Sequence, residues 1–329
     1  MPVVRAPPAF CLAILLALAV PGRAQETPWP LPRAGHSMVW HDGLGAVVLY
    51  GGTLEGRDTR WLWSWDGLWW DTVDSLGPPA TMQFGMAYDA GRETLVLFGG
   101  LGAPRENPTR YADTWEWNGA WKRIDVEGPP ARDHLAMAYD PERRVVVLFG
   151  GGHMQLNATG EPEVTLFDDT WTWDGERWRR LDVTGPPARA THRMVWDDRS
   201  KAILLFGGGH ATGNLADLWK WDGAAWTLLD DGSGPSPRLA TRIAWHSARG
   251  ELVLYGGRGA GGDLDDTWTW NGSAWDHREV EGLGPLNVHE MAYDPRRELV
   301  VLFGGFHSPD HFADVWEWDG EQWGQSLPD

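Results

Sequence analysis

Cysteine is almost absent from this chain of 329 residues, and the single one, Cys11, lies in an apolar N-terminal stretch. Residues 1–24 have the features of a cleavable secretory signal peptide: a basic residue at Arg5, an apolar run over Ala9–Val20, and small residues before position 25. This run is too short to span a bilayer. Its removal leaves a mature chain without thiols, which excludes disulfides, thiolate metal sites and cysteine nucleophiles.

Positive charge is also scarce, with 28 Lys and Arg against 46 Asp and Glu and a formal net charge of −18. Such a chain repels phosphate backbones, so we expect no nucleic-acid partner. No later apolar run is long enough to cross a membrane, so we expect no membrane span after signal cleavage. The chain also lacks a Gly-rich phosphate loop, a Gly-x-Ser-x-Gly elbow and a His-Glu-x-x-His motif. We therefore predict no cofactor.

Glycine and tryptophan, in contrast, are abundant and recur in a fixed pattern. An apolar run ending in Tyr or Phe precedes a Gly-Gly pair six times, at 51–52, 99–100, 150–151, 207–208, 256–257 and 304–305. A Trp-x-Trp pair, followed by Asp-Gly or Asn-Gly and then a further Trp, also occurs six times, beginning at 63, 115, 171, 219, 268 and 316. Recurrence at a period of about 50 residues is the signature of a repeat architecture.

One repeat, residues 132–188, predicts four strands: His134–Tyr139, Val145–Phe149, Asp169–Trp173 and Trp178–Val183. A small sheet with large apolar side chains on both faces cannot bury itself, but copies packed radially bury one another. We therefore predict an all-β protein, a single six-bladed β-propeller over residues 25–329 with tryptophans wedged between blades. The predicted blades are about 33–80, 81–131, 132–188, 189–237, 238–285 and 286–329.

The motifs Phe-Gly-Gly at 98–100, Asp-Thr-Trp-Glu-Trp at 113–117 and Trp-Asp-Gly at 318–320 resemble kelch repeats. The resemblance covers about residues 31–329 and looks most like the Trp-rich variety found in secreted bacterial proteins of the galactose oxidase/kelch superfamily. It implies a kelch-type propeller with a secreted, periplasmic or cell-surface location. The copper site of galactose oxidase needs a cysteine crosslinked to tyrosine, so the mature chain lacks that site. Kelch propellers serve as binding platforms and, more rarely, as enzymes.

The resemblance also implies that ligands bind on the face carrying the loops after the Gly-Gly pairs. Four arginines precede the first strand of a blade at one equivalent position: Arg33, Arg132, Arg189 and Arg238. A partial ring of guanidinium groups is suited to a carboxylate ligand, although each arginine has an alternative partner in a loop carbonyl or Asp of its own blade. Five aspartates share another position and are predicted to be structural: Asp113, Asp169, Asp217, Asp266 and Asp314. Trp61 replaces Asp there in blade 1 and is a candidate for ligand contact.

Histidines occur in two equivalent sets. His153, His210 and His307 follow the Gly-Gly pairs of blades 3, 4 and 6 and are candidate ligand-binding residues. A metal candidate is the local cluster of His307, Asp310 and His311, but loop histidines are common without metals, and we predict no metal site. His36, His192 and His289 share a place in the first strand, where we expect satisfied, buried side chains.

The loops after the Gly-Gly pairs are longest in blades 2 and 3, at Leu101–Ala112 and Gly152–Asp168. We therefore expect a binding module for a protein or an envelope glycan that uses this face. Two alternatives stay open. One is an epimerase-like enzyme on a sugar or sugar acid, with Arg holding a carboxylate and His or a carboxylate moving protons. The other is a purely structural module of the envelope.

Overall fold

The computed structural model describes residues 29–54, 57–79, 82–102, 109–156 and 162–326. The predicted signal peptide, residues 1–24, lies outside these ranges. Within them, every regular element is a strand, and no helix has the length and apolar character needed to cross a membrane. Each of the six blades has four main strands that lie side by side in chain order as one antiparallel sheet, with short additional strands between the second and third in blades 1, 2, 3 and 6. The predicted all-β, six-bladed propeller is confirmed.

The first strands of neighbouring blades contact one another around a central axis. They are Ala34–His41, Gly85–Asp89, Ala136–Asp140, Arg193–Asp197, Arg242–His246 and Glu290–Asp294. The second strands are Ala46–Leu54, Thr94–Phe98, Val145–Phe149, Ala202–His210, Glu251–Gly259 and Leu299–Phe303. The third strands are Leu62–Trp65, Thr114–Trp117, Thr170–Trp173, Gly213–Trp221, Gly262–Trp270 and Val315–Trp318. The outermost strands are Trp70–Asp74, Trp121–Ile124, Trp178–Leu181, Trp226–Asp230, Trp275–Arg278 and Trp323–Ser326.

Each Gly-Gly pair leads into a hairpin, where the sequence predicted a polar loop. In blades 4 and 5 the second and third strands extend to form it. The other hairpins use short strands: Arg57–Asp58 against the end of the second strand, Leu101–Gly102 with Thr109–Arg110, Gly152–Leu156 with Pro162–Leu166, and Phe306–His307 with Asp310–His311. Together the six hairpins form one face of the propeller, which we call the crown.

The Gly-Gly pairs are required because two backbones meet there. In blade 3 both residues have positive φ, 62° at Gly150 and 86° at Gly151. The Gly151 amide donates to the carbonyl of Arg189 in the next blade, at 2.8 Å. A Cβ atom on Gly150 would lie 2.8 Å from that same carbonyl oxygen. Only glycine allows this approach, so the motif joins neighbouring blades at the crown.

The core consists of six apolar clusters, each formed by two neighbouring blades. The tryptophans occupy these clusters as predicted. Trp178, for example, packs edge-on against Phe98 of the preceding blade, with ring centroids 5.2 Å apart. Its indole Nε1 donates to Thr114 Oγ1 of that blade at 2.8 Å. An aromatic ring anchored by its polar edge fixes both the distance and the angle between two blades.

A closed circle of backbone hydrogen bonds ties the six blades together near the crown. In each blade the bonds are formed by one residue, two positions after the position that holds an arginine in blades 1, 3, 4 and 5. This residue has positive φ in every blade. Its members are Gly35, Gln83, His134, Thr191, Ala240 and Val288. Each amide donates to the carbonyl of the equivalent residue in the preceding blade, over 2.7 to 3.3 Å, and Gly35 donates to Val288 to complete the circle. The left-handed backbone at His134 also explains why the first strand of blade 3 begins at Ala136, later than predicted.

Candidate functional site

The four arginines expected to form a ligand ring are buried in their own blades. Arg189 is fully buried and donates from Nη1 and Nη2 to the two carboxylate oxygens of Asp217, at 2.7 and 2.8 Å. Its other donors reach the carbonyls of Pro187 and Gly207, each at 3.0 Å. Arg132 and Arg238 repeat this geometry with Asp169 and Asp266. Each of these three arginines thus has its partners within its own blade, which was the alternative to binding a ligand carboxylate. We place no ligand at them.

Arg33 is the exception in this set, because Trp61 occupies the place of its carboxylate partner. Its Nη1 donates instead to Thr59 Oγ1 at 3.1 Å and to the Gly51 carbonyl at 2.9 Å. Burial lowers the pKa of Arg33 to about 10. Trp61 is 40% exposed and packs beside Trp63, with ring centroids 5.4 Å apart. Blade 1 therefore carries an arginine without a carboxylate partner among the described residues, and an exposed indole at the crown edge.

The partners of the five equivalent aspartates depend on whether their blade carries the arginine. Burial opposes ionisation of Asp169, but its hydrogen bonds to Arg132 outweigh that effect and lower the carboxyl pKa. Blades 2 and 6 lack the arginine, and there the aspartate pairs outward, Asp113 with Arg123 at 2.7 Å and Asp314 with Gln325 at 2.9 Å. These contacts are structural ones, as predicted, and in blades 3, 4 and 5 the arginine is the principal donor to the carboxylate.

The crown histidines do not converge. His153 packs near Phe167, His210 lies beside Thr212 Oγ1 at 2.9 Å, and His307 lies 3.0 Å from Asp263. In the described ranges, no three His, Cys, Asp or Glu residues are grouped in a way that could hold a metal ion. The geometry of the described residues therefore gives no support to a metal site at His307, Asp310 and His311.

A cavity of about 520 Å³ lies in the central channel, on the side away from the crown. It runs from Phe84 and Leu135 to the turns that join first and second strands, at Asp42, Pro141 and Pro295. Because the first strands are in register, their side chains form successive rings of six around the axis. This volume is within the range of small-molecule sites, roughly 300–1,000 Å³.

Three of these rings determine the character of the channel. The ring at its inner end, which we call the charged ring, comprises Ser37, Gly85, Ala136, Arg193, Arg242 and Glu290. The next ring is apolar: Met38, Met86, Met137, Met194, Ile243 and Met291. The ring toward the turns is aromatic: Trp40, Tyr88, Tyr139, Trp196, Trp245 and Tyr293. Its polar tips join neighbouring blades; Trp245 Nε1, for example, donates to Asp198 at 2.7 Å. The channel is thus apolar along its walls and polar at its inner end.

The charged ring carries charge on one side only. Arg242 Nε and Arg193 Nη2 both donate to Glu290 Oε1, at 2.7 and 3.0 Å. Arg193 and Glu290 line the cavity, whereas the Arg242 side chain beside them is only 2% exposed. Burial, and then the like charge of Arg193, lower the pKa of Arg242 to about 9. Two guanidinium groups against one carboxylate leave one positive charge in this cluster.

The three equivalent histidines lie in the ring between the backbone circle and the charged ring. His36, His192 and His289 are buried as expected, but not satisfied as expected. His192 Nε2 is within 3.2 Å of the Phe149 carbonyl. Both ring nitrogens of His289 and Nδ1 of His36 lack a partner among the described residues. Burial, and then nearby arginine charges that include Arg242, hold the pKa of His36 and His289 well below the usual range, so both rings are neutral.

Sequence reasoning missed the charged ring because it searched for residues that recur. The informative signal was a position that does not recur: Arg193, Arg242 and Glu290 stand at the start of otherwise apolar first strands. The equivalent residues of blades 1 to 3 are all small. Charged residues inside a buried strand are costly, so they are more informative than charges in loops.

Comparison with known proteins agrees with the geometry. Residues 160–327, just over half of the chain, match the family described as the KLHDC2/KLHL20/DRC7 Kelch-repeats domain. Acyl-CoA-binding domain-containing protein 4 of Arabidopsis thaliana is 29% identical over 186 residues, which are 52% of this chain and 26% of that protein. Kelch domain-containing protein 2 of Mus musculus is 32% identical over 105 residues, 30% of this chain and 24% of that protein. The chain thus spans about a quarter of the length of these curated relatives.

The solved structure of YjhT superposes on this chain with a TM-score of 0.70 at 14% sequence identity, covering 91% of this chain and 99% of that one. At this identity the likeness concerns the fold alone.

Proposed function

Because this chain belongs to the kelch-repeat family of β-propellers, we propose that it is a secreted interaction module that binds a protein or envelope glycan through the crown. The observation that carries this proposal is a contrast between the contacts below the crown, which recur from blade to blade, and the crown hairpins, which differ. The backbone circle passes through all six blades, the Gly-Gly amide contact recurs from blade 2 to blade 6, and arginine–aspartate pairs recur in blades 3, 4 and 5. The hairpins above them differ in length, and a partner that reads one side of the crown needs such differences.

Two features support the crown as the binding face. Val164, in the long hairpin of blade 3, is 61% exposed although it lies in a strand. Trp61 exposes an indole at the crown edge of blade 1, and exposed aromatic rings are frequent anchors in protein interfaces. Secretion rests on the signal-like sequence of residues 1–24, and N-terminal sequencing of exported protein should find Gln25 first.

The crown is tested by comparing two exposed apolar residues in strands. Val164 lies in the blade 3 hairpin, whereas Leu228, 45% exposed, lies in the outermost strand of blade 4. A photo-crosslinking amino acid at each position of the full chain, exposed to envelope extract, should give a discrete adduct from position 164 and none from 228. The identified partner should then bind Val164→Glu at least about tenfold more weakly, since a buried charge at an interface costs more than 1.4 kcal/mol.

Leu228→Glu is the control and should bind like the natural chain. Equal adducts from both positions, or equal loss of affinity in both variants, would show that binding is not located at the crown. If the captured material is polysaccharide, the same two variants are compared in a pull-down on insoluble envelope glycan. Binding at the crown predicts that only Val164→Glu is retained less, whereas general adhesion predicts no difference between the variants.

A further inference from the structure

The channel carries a charge imbalance that the crown does not explain. Two guanidinium groups, Arg193 and Arg242, share a single oxygen of Glu290 in a mostly buried setting. A buried charge without a counterion is strongly unfavourable, and proteins relieve it by pairing. We propose that the channel binds a small organic monoanion, with its carboxylate at Arg193, beside the buried Arg242, and its apolar body along the methionine ring. This proposal is independent of binding at the crown.

Unused hydrogen-bond donors lie in this cluster and in the adjacent His289, both buried behind the residues that line the cavity. Arg242 Nη2 is buried and has no partner in the described part of the chain, and the same holds for both ring nitrogens of His289. Buried polar atoms of this kind are usually satisfied, so each unsatisfied one needs an explanation. A neutral imidazole has one N–H to donate, and a guanidinium has only donors. The group that complements these atoms and the excess positive charge is an oxyanion.

The ring geometry provides room for that oxyanion. At the level of Arg193, the opposite half of the charged ring consists of Ser37, Gly85 and Ala136, which also line the cavity. The small residues of these three blades extend no long side chain into the cavity, although beside Gly85 the space that a Cβ atom would take is filled by Met137 and Leu135. Ser37 offers a hydroxyl on this side of the cavity. The site is therefore asymmetric, with a cationic wall facing a small-residue wall.

The rest of the cavity identifies the remainder of the ligand. Directly outside the charged ring lie five methionines and Ile243, all of which line the cavity. Methionine side chains are flexible and polarisable, and they adapt to apolar groups of irregular shape. An inorganic anion would leave this wall and most of the volume unused, and a neutral ligand would leave the charge unpaired. Both considerations favour a carboxylate attached to an aromatic or branched apolar body.

The test uses pairs of ligands of the same shape. Benzoate and phenylacetate are titrated against the full chain by calorimetry, alongside benzamide and phenylacetamide, which lack the charge. We expect the carboxylates to bind and the amides to bind at least about tenfold more weakly, because hydrogen bonds to a charged partner contribute roughly 1.5–3 kcal/mol. Equal affinity for acids and amides would overturn the proposal, as would chloride binding as tightly as the carboxylates.

Two variants with opposite expected effects locate the site. Arg193→Met removes the excess charge and should weaken benzoate binding about tenfold. Glu290→Gln removes the competing carboxylate, frees both arginines, and should tighten benzoate binding several-fold. A matched surface control is Arg249→Met, which removes the same charge from a side chain 39% exposed and should leave affinity unchanged. Weaker binding in Glu290→Gln would overturn the assignment, and this variant decides the question even if Arg193→Met folds poorly.

Discussion

Arg189 and Arg193 are four residues apart in blade 4, and the contrast between them separates scaffold from site. Arg189 recurs in other blades and gives both terminal nitrogens to Asp217 of its own blade. Arg193 has no counterpart in blades 1 to 3, and it reaches across blade 5 to share Glu290 with Arg242. An arginine that recurs in several blades is thus paired with an aspartate of its own blade, because it stabilises each of those blades in the same way. An unrepeated charge breaks the symmetry of the ring, and a structural requirement common to all blades does not explain it.

The first prediction is the largest and tests this contrast directly. Arg189→Met should lower the free energy of unfolding by about 3–5 kcal/mol, because it leaves the carboxylate of Asp217 and two loop carbonyls without their donor. Arg193→Met leaves Arg242 and Glu290 as a balanced pair and should change the free energy of unfolding by no more than about 1 kcal/mol. Urea denaturation of the two variants measures both values.

These two substitutions remove the same side chain from the same blade, so each is the control for the other. Equal losses would mean that both arginines belong to the scaffold, and the separation of scaffold from site would be wrong. A larger loss in Arg193→Met would have the same meaning.

The second prediction compares two equivalent aspartates. Asp169→Asn leaves the fully buried Arg132 without a carboxylate and should cost about 3 kcal/mol of unfolding free energy. Asp113 occupies the same position in blade 2, where its partner Arg123 is 57% exposed. Asp113→Asn should therefore cost less than about 1 kcal/mol, as expected for an exposed ion pair. A similar cost for both would show that the position matters and the buried arginine does not.

The sequence predicted the scaffold well because the repeat is itself a physical constraint. Both glycines at 150–151 and the tryptophans at 171, 173 and 178 are set by contacts between blades, so six copies retain them. The same reasoning left two uses open for Arg132, a ligand carboxylate or a partner in its own blade, and only the structure shows the buried pair with Asp169. It missed Arg193 entirely, because two strands that contact each other only across the axis are far apart in the chain. Which side chains meet there depends on the register and curvature of the complete ring.

The third prediction concerns pH and the buried histidines, which recur in only three blades. His36, His192 and His289 have pKa values held well below their usual 6.5, first by burial. The unfolded chain therefore binds more protons below about pH 6.5, so stability is present above that pH and is lost as the pH falls. Each histidine should contribute a slope of up to about 1.4 kcal/mol per pH unit.

Blade 2 supplies the substitution that tests this prediction, because Phe84 occupies the equivalent position. Below pH 6.5 the free energy of unfolding falls as the pH falls, and His36→Phe should make this dependence shallower by about 1 kcal/mol per pH unit. His277→Phe is the control, since His277 is exposed in the outermost strand of blade 5. An unchanged slope in His36→Phe would mean that this ring binds its proton equally well in the folded and unfolded chains, against the assignment of a pKa lowered by burial.

The last prediction has the smallest expected effect. It concerns a substitution that restores the repeat pattern at the position where blade 1 departs from it. Buried Arg33 has no carboxylate partner in the part of the chain that the structure describes, because Trp61 stands where three other blades pair an aspartate with the arginine. Trp61→Asp should supply that partner and raise the free energy of unfolding by about 1 kcal/mol, after subtracting the lost contact with Trp63. The melting temperature should rise by about 2 °C. Trp69→Asp is the control, an equally exposed indole in the outer turn of the same blade, and it should give no gain. If Trp61→Asp is destabilising, then blade 1 has adapted to the missing carboxylate, and the arginine at this position contributes to stability without its repeated partner.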